Sequence, residues 1–138
     1  MSQVPIQFDL TIPESVFAIL LVAARADLQV QSEEKLIVSQ AIARLKIFEG
    51  EDIKVLSTKV VNLLNENDPD LVLESAALQL DNKQSATVYA IACDLLSVEG
   101  AIEEQELVFL EKLQNLLKLN DSVAKQIIQV TVIKNRQL

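Results

Sequence analysis

Two stretches of the chain set a carboxylate, a short turn and a second carboxylate at the same spacing. They are Asp27 with Glu34 in "ADLQVQSEE", and Glu99 with Glu106 in "VEGAIEEQE". Oxygen ligands gathered at a helix–turn–helix corner suit hard divalent cations, Ca2+, Mg2+ or Mn2+. The chain has no His and a single Cys, so no zinc site is expected. Two carboxylates do not fill a coordination shell. Backbone carbonyls, water, Glu103 or Glu104 would have to complete the second site. The competing reading needs no metal: a Glu in the first turn of a helix is stabilised by the helix dipole alone.

The twelve residues Leu95–Glu106 can be set against the calcium-hand loop. Gly100 falls at the sixth position, Ile102 at the apolar eighth and Glu106 at the bidentate twelfth. The first half fails, because Leu95 stands where an Asp is needed and Ser97 where a further ligand belongs. The first stretch fails in the same half, with Ala23 and Arg25 at those places. A working hand of that type is therefore not expected.

Other chemistry has little to stand on. Without His, the Ser-His and Cys-His nucleophile arrangements are excluded. No glycine-rich phosphate loop exists. Cys93 lies among apolar neighbours and reads as a small core residue. Asp94 interrupts an apolar helical pattern and needs a partner if buried; Arg25 is one candidate, and an exposed position on a groove is the other. A carboxylate-dependent hydrolase is the weakest of the three functional readings, since it requires a pocket and a raised pKa. The chain is read as a non-enzyme.

The elements that position these acids follow from composition and period. In 138 residues, half are apolar, two are Gly and three are Pro. So few turn residues disfavour an all-β fold, and abundant Ala, Leu, Glu, Lys and Gln favours helix. Residues 1–12 read as an extended arm and 13–138 as one all-α domain of about seven helices. "TIPE" and "DNKQ" are capping boxes that open the first and fifth helices, near Thr11 and Asp81. A second helix is expected from a Ser32 cap to about Phe48, broken at Gly50, and a third over 52–65. Asp68-Pro69 reads as N-cap and N1 of a short fourth helix, 69–80. Helices over 103–119 and from Asp121 to the end complete the set. "VTVI" in the last one is β-branched and also compatible with a strand.

Shifting the chain by 72 residues lays Ser15–Ile47 over Thr87–Leu119 without a gap. Val16 meets Val88, Phe17 meets Tyr89, Asp27 meets Glu99, and Glu34 meets Glu106. The expected architecture is two three-helix units, about 13–65 and 83–138, related by a pseudo-twofold axis. Helix 69–80 is the connector. The first helix of each unit is apolar nearly all round and must be covered on all sides, so the two are expected at the centre.

At these residues the sequence resembles the tellurite-resistance TerB-like family. That family's hallmark is a helix ending in small apolar residues, an Asp-Gly-x-apolar turn, and a helix with a Glu in its first turn. A Leu-Gly-Leu-like helix end follows. Here it appears as "AARADLQVQSEEKL" with "ARLKI", and as "DLLSVEGAIEEQEL" with "NLLKL". Leu28 replaces the first turn glycine, and Glu99 the second turn aspartate. The resemblance implies a seven-helix pseudo-twofold fold and divalent-metal binding through Asp27, Glu34, Glu99 and Glu106. It also implies a role in tellurite resistance or stress response, beside membrane-associated protein partners. An adaptor whose acids only cap helices is the alternative.

The formal charge of −8 argues against nucleic acid as a partner. No apolar run approaches the ~20 residues of a membrane span. The N-terminus lacks a signal pattern, and the single cysteine fits a reducing compartment. A cytoplasmic location is expected, and a protein partner is expected, with a homodimer left open.

Overall fold

A computed structural model of the chain describes residues 8–26, 44–97 and 100–136. Those residues form six α-helices and one 3-10 turn, with no strand among them. The helices are α1 (Ile12–Ala26), α2 (Ile53–Glu66), α3 (Pro69–Leu78), α4 (Asn82–Leu96), α5 (Glu104–Leu117) and α6 (Asp121–Asn135). Most of the expected second helix lies outside the described residues, as do its Ser32 cap and the start of the N-terminal arm.

Local chemistry sets most of the helix starts. Before α1, the Thr11 amide donates to Glu14 Oε1 at 2.8 Å, and the Glu14 amide donates to Thr11 Oγ1 at 3.2 Å. Asp81 and Gln84 repeat that reciprocal box before α4 at 3.0 and 2.8 Å. The carboxylate of Asp52 accepts two amides ahead of α2, and Asp68 caps α3 with Pro69 at its first position. Asn120 caps α6. The "VTVI" segment is helical: Thr131 is buried against the bundle and its hydroxyl donates to the Ile127 carbonyl at 2.6 Å. Tertiary packing there outweighs the weak β preference of branched side chains.

The expected second helix does not reach Phe48. The chain is extended at Leu45, and Lys46–Phe48 forms a single 3-10 turn. That change of direction buries Phe48. A turn follows in which the Glu51 amide donates to the Phe48 carbonyl at 3.1 Å. Glu49 at φ −60°, ψ 128° and Gly50 at φ +80° give it type II geometry, which calls for glycine at that place.

Core packing centres on α1 and α4. Six consecutive residues of α1, Ser15 to Leu20, are buried, so the helix has no solvent face over that stretch. It packs most extensively against α3 and α4, and also against α2. On α4 the buried positions 85, 88, 89, 92, 93 and 96 recur at helical spacing. Its other flanks are covered by α5 and α6. The connector α3 is part of the core, with Val72, Leu73, Ala76 and Ala77 buried. The arm docks on α3 as well: the Phe8 amide donates to Ser75 Oγ at 3.1 Å, and Leu10 is buried. Lys59 of α2 ties arm to helix, donating to the Asp9 carbonyl and pairing with Glu14, both at 3.0 Å.

One core group is unsatisfied. Tyr89 is fully buried, and its hydroxyl has no hydrogen-bond partner among the described residues. Burial drives its pKa upward, with the neighbouring Cys93 adding to the shift. Its sequence counterpart in the shifted alignment is Phe17, which is also buried and has no polar side-chain atom. An orphaned hydroxyl costs about 1–3 kcal/mol. Tyr89→Phe is therefore expected to leave stability unchanged or raise it by about 1 kcal/mol in urea denaturation. A loss of more than about 1 kcal/mol would mean that the hydroxyl has a partner.

Candidate functional site

The second acidic corner joins α4 to α5. Helix α4 ends at Ser97, which is fully buried and whose hydroxyl donates to the Cys93 carbonyl at 2.7 Å. The Gly100 amide donates to the Ser97 carbonyl at 2.8 Å, closing a tight turn. Gly100 sits at φ +84°, where a side chain is strained. A Cβ there would also lie 3.0 Å from the Arg136 Cα and 3.2 Å from the Asn135 carbonyl oxygen. Glycine is required twice over: for the left-handed backbone, and for the close approach of the C-terminal end of α6.

Side chains complete that approach. Asp94 Oδ1 accepts from Lys134 Nζ at 2.7 Å and from Asn135 Nδ2 at 2.9 Å. Asn135 Nδ2 also donates to Ser97 Oγ at 3.0 Å. Two consecutive residues of the last turn of α6 thus grip two residues one helical turn apart at the end of α4. Partial burial alone would raise the Asp94 pKa. The hydrogen bonds from Lys134 and Asn135, with the Lys134 charge, outweigh it and hold the carboxyl below its ordinary value. Asp94 is partnered from α6, not by Arg25, which is exposed near the end of α1.

Glu106 is 3% exposed, and its Oε1 accepts the Glu103 amide at 2.8 Å, which ties off the start of α5. Glu103 and Glu104 are exposed. Asp27, Glu34 and Glu99 lie outside the described residues, so Glu106 alone of the four acids is placed. Among the described residues no group of three or more Asp, Glu, Cys or His side chains is arranged to hold a metal. Cys93 is fully buried, and burial, with the charge of Asp94, pushes its thiol up to about 12. It is no nucleophile at neutral pH.

At its other end α5 closes in a left-handed residue. Lys118 has φ +57°, and the amides of Lys118 and Leu119 donate back to the Asn115 and Gln114 carbonyls. That is the Schellman ending usually supplied by glycine. Beside it Gln114 hydrogen-bonds Asp121. Lys134 and Asn135 were not singled out by sequence as partners of Asp94. The available signal was Asp94 itself, a charged residue inside an apolar helix, which demands a donor from another element.

No family model matches the chain, and neither a curated protein sequence nor a solved structure gives a significant match.

Two outcomes follow from the corner. Gly100→Ala combines left-handed strain with backbone overlap and is expected to destabilise by about 2–4 kcal/mol. Gly50→Ala, at φ +80° with open space around its Cβ, should cost only about 1 kcal/mol. Equal losses in paired denaturation curves would rule out the close approach of α6. The second concerns pH. A carboxyl whose folded pKa is depressed stabilises above its unfolded pKa, and that contribution is lost as pH falls through the folded value. Asp94→Asn should therefore lower stability at pH 7 by about 0.2–1 kcal/mol, as befits a half-exposed pair, and flatten the fall in stability below about pH 4. An unchanged acid limb would contradict the ion pair.

Proposed function

We propose that the chain is a non-enzymatic, TerB-like helical module that acts by docking another protein, with its second acidic corner serving as a structural joint. The observation that carries this reading is the exposed apolar side chains on each of the last two helices, above all on α6. On α6, Val130 is 64% exposed and Ile133 60% exposed, with Val123 on the same side; on α5, Val108 is also exposed. An apolar stripe on the outside of a helix already packed on its other face is what partner-binding surfaces present. Charge names the kind of partner. The segment from Asp121 to Arg136 carries three cations, Lys134 paired with Asp94 and Lys125 and Arg136 in no ion pair among the described residues, against one acid, on a chain with 20 acids and 12 bases. The fitting occupant is a protein segment whose apolar side chains are flanked by carboxylates.

The TerB-like reading draws support from the corner itself and from Lys118, whose left-handed backbone falls where the family motif carries glycine. It brings with it the proposals of a pseudo-twofold arrangement, a stress-response role and a cytoplasmic location. No helix among the described residues is long and apolar enough to cross a membrane.

A second reading, divalent-cation binding through Asp27, Glu34, Glu99 and Glu106, is favoured by one observation: the Glu106 carboxylate is buried in the first turn of α5. One pair of measurements separates the two. A photo-crosslinking residue at position 130 should capture a discrete protein adduct in cells that Ile133→Glu abolishes, and a probe at exposed position 51 should not. Calorimetry with Ca2+, Mg2+ and Mn2+ should give no saturable heat and no rise in Tm. Adducts indifferent to Ile133→Glu would sink the docking reading. Saturable heat that disappears in Glu106→Gln would establish the metal one.

A further inference from the structure

A cleft of about 280 Å3 opens between α1, the 3-10 turn and the first half of α4. That is near the small end of the ~300–1,000 Å3 usual for small-molecule sites. Its walls are apolar: Val16 and Val88 are buried, and Leu45, Ile47 and Ile91 are half-buried. Two charged groups stand among its lining residues, the exposed Lys46 and Lys83, and no carboxylate does. Among the described residues neither lysine takes part in an ion pair. The other polar groups are already engaged within the chain. Gln84 Oε1 accepts the Asp81 amide, and Thr87 Oγ1 donates to the Lys83 carbonyl at 2.9 Å.

Two unpaired cations among its lining residues make this cleft locally positive on a chain with 20 acids and 12 bases. We propose that this cleft binds a small amphipathic monocarboxylate, its alkyl chain between Val16, Val88 and Ile91 and its carboxylate between the Lys46 and Lys83 ammonium groups. Area burial supplies the affinity, and the two cations fix polarity and select an anionic head over a neutral one. The site is independent of the protein-docking face on α5 and α6.

Calorimetry and methyl NMR on the full chain with octanoate, decanoate and 1-decanol test this. Binding is expected to be saturable and one to one below micelle-forming concentrations, with methyl shifts at Val16, Val88 and Ile91. Each added CH2 should tighten it about fourfold until the cleft is full. Lys46→Gln and Lys83→Gln should each weaken decanoate about threefold and leave 1-decanol unchanged. Thr87→Trp fills the cleft from an exposed rim position that the fold does not need, so it should abolish binding with helicity unchanged. Absence of saturable binding would overturn the proposal. So would decanoate binding that survives Thr87→Trp, or equal affinity for decanoate and 1-decanol.

Discussion

Two largely enclosed helices, α1 and α4, govern this molecule. Over Ser15–Leu20, α1 has no exposed residue, and α4 is buried at every third or fourth position with its flanks half covered. A helix apolar all round is stable in water only when other elements enclose it. Packing α1 against α4 covers one side of each. The remaining sides recruit α2 and α3 around α1, and α5 and α6 around α4. The connector α3 touches α1 more than any other helix does, so it serves as a wall of the core as well as a link.

Covering α4 demands a precise return of the chain. After α5 runs away from the corner, α6 comes back and ends against the turn that started α5. Gly100 makes that meeting sterically feasible, and Asp94, Ser97, Lys134 and Asn135 fasten it. Three of the groups that looked reactive in sequence have structural roles at this corner. Asp94 grips α6, Glu106 caps α5, and Cys93 fills space beneath them with its thiol neutral at physiological pH. In and beside this acidic, glycine-bearing turn, Asp94, Ser97, Gly100 and Glu106 each have a structural role.

What was readable from sequence divides by the range of the interaction. The Thr11–Glu14 and Asp81–Gln84 boxes, the Asp68-Pro69 start and the Asn120 cap each involve residues within a few positions of one another. Residue types and spacing therefore specify them directly, and the all-helical class follows from composition and period. The partner of Asp94 was not readable, because it lies 40 residues away and depends on how α6 returns. The end of the expected second helix failed for a similar reason: burial of Phe48 redirects a chain whose local pattern permits continued helix. Of the four principal candidate ligands, Glu106 alone can be placed, and its capping role was the simpler of the two readings open from its position in the first turn of α5.

The central claim is that the corner at Gly100 fastens α6 to α4, so that the two helices open together. Native-state hydrogen exchange on the wild-type chain and on Gly100→Ala tests it directly. The α6 amides of the wild type should exchange with the same opening free energy as the core amides of α4. In the variant, protection along α6 should fall well below that of α4, while α1 and α3 keep their order relative to α4. Exchange from α6 that is already independent of α4 in the wild type, or unchanged in the variant, would contradict the account.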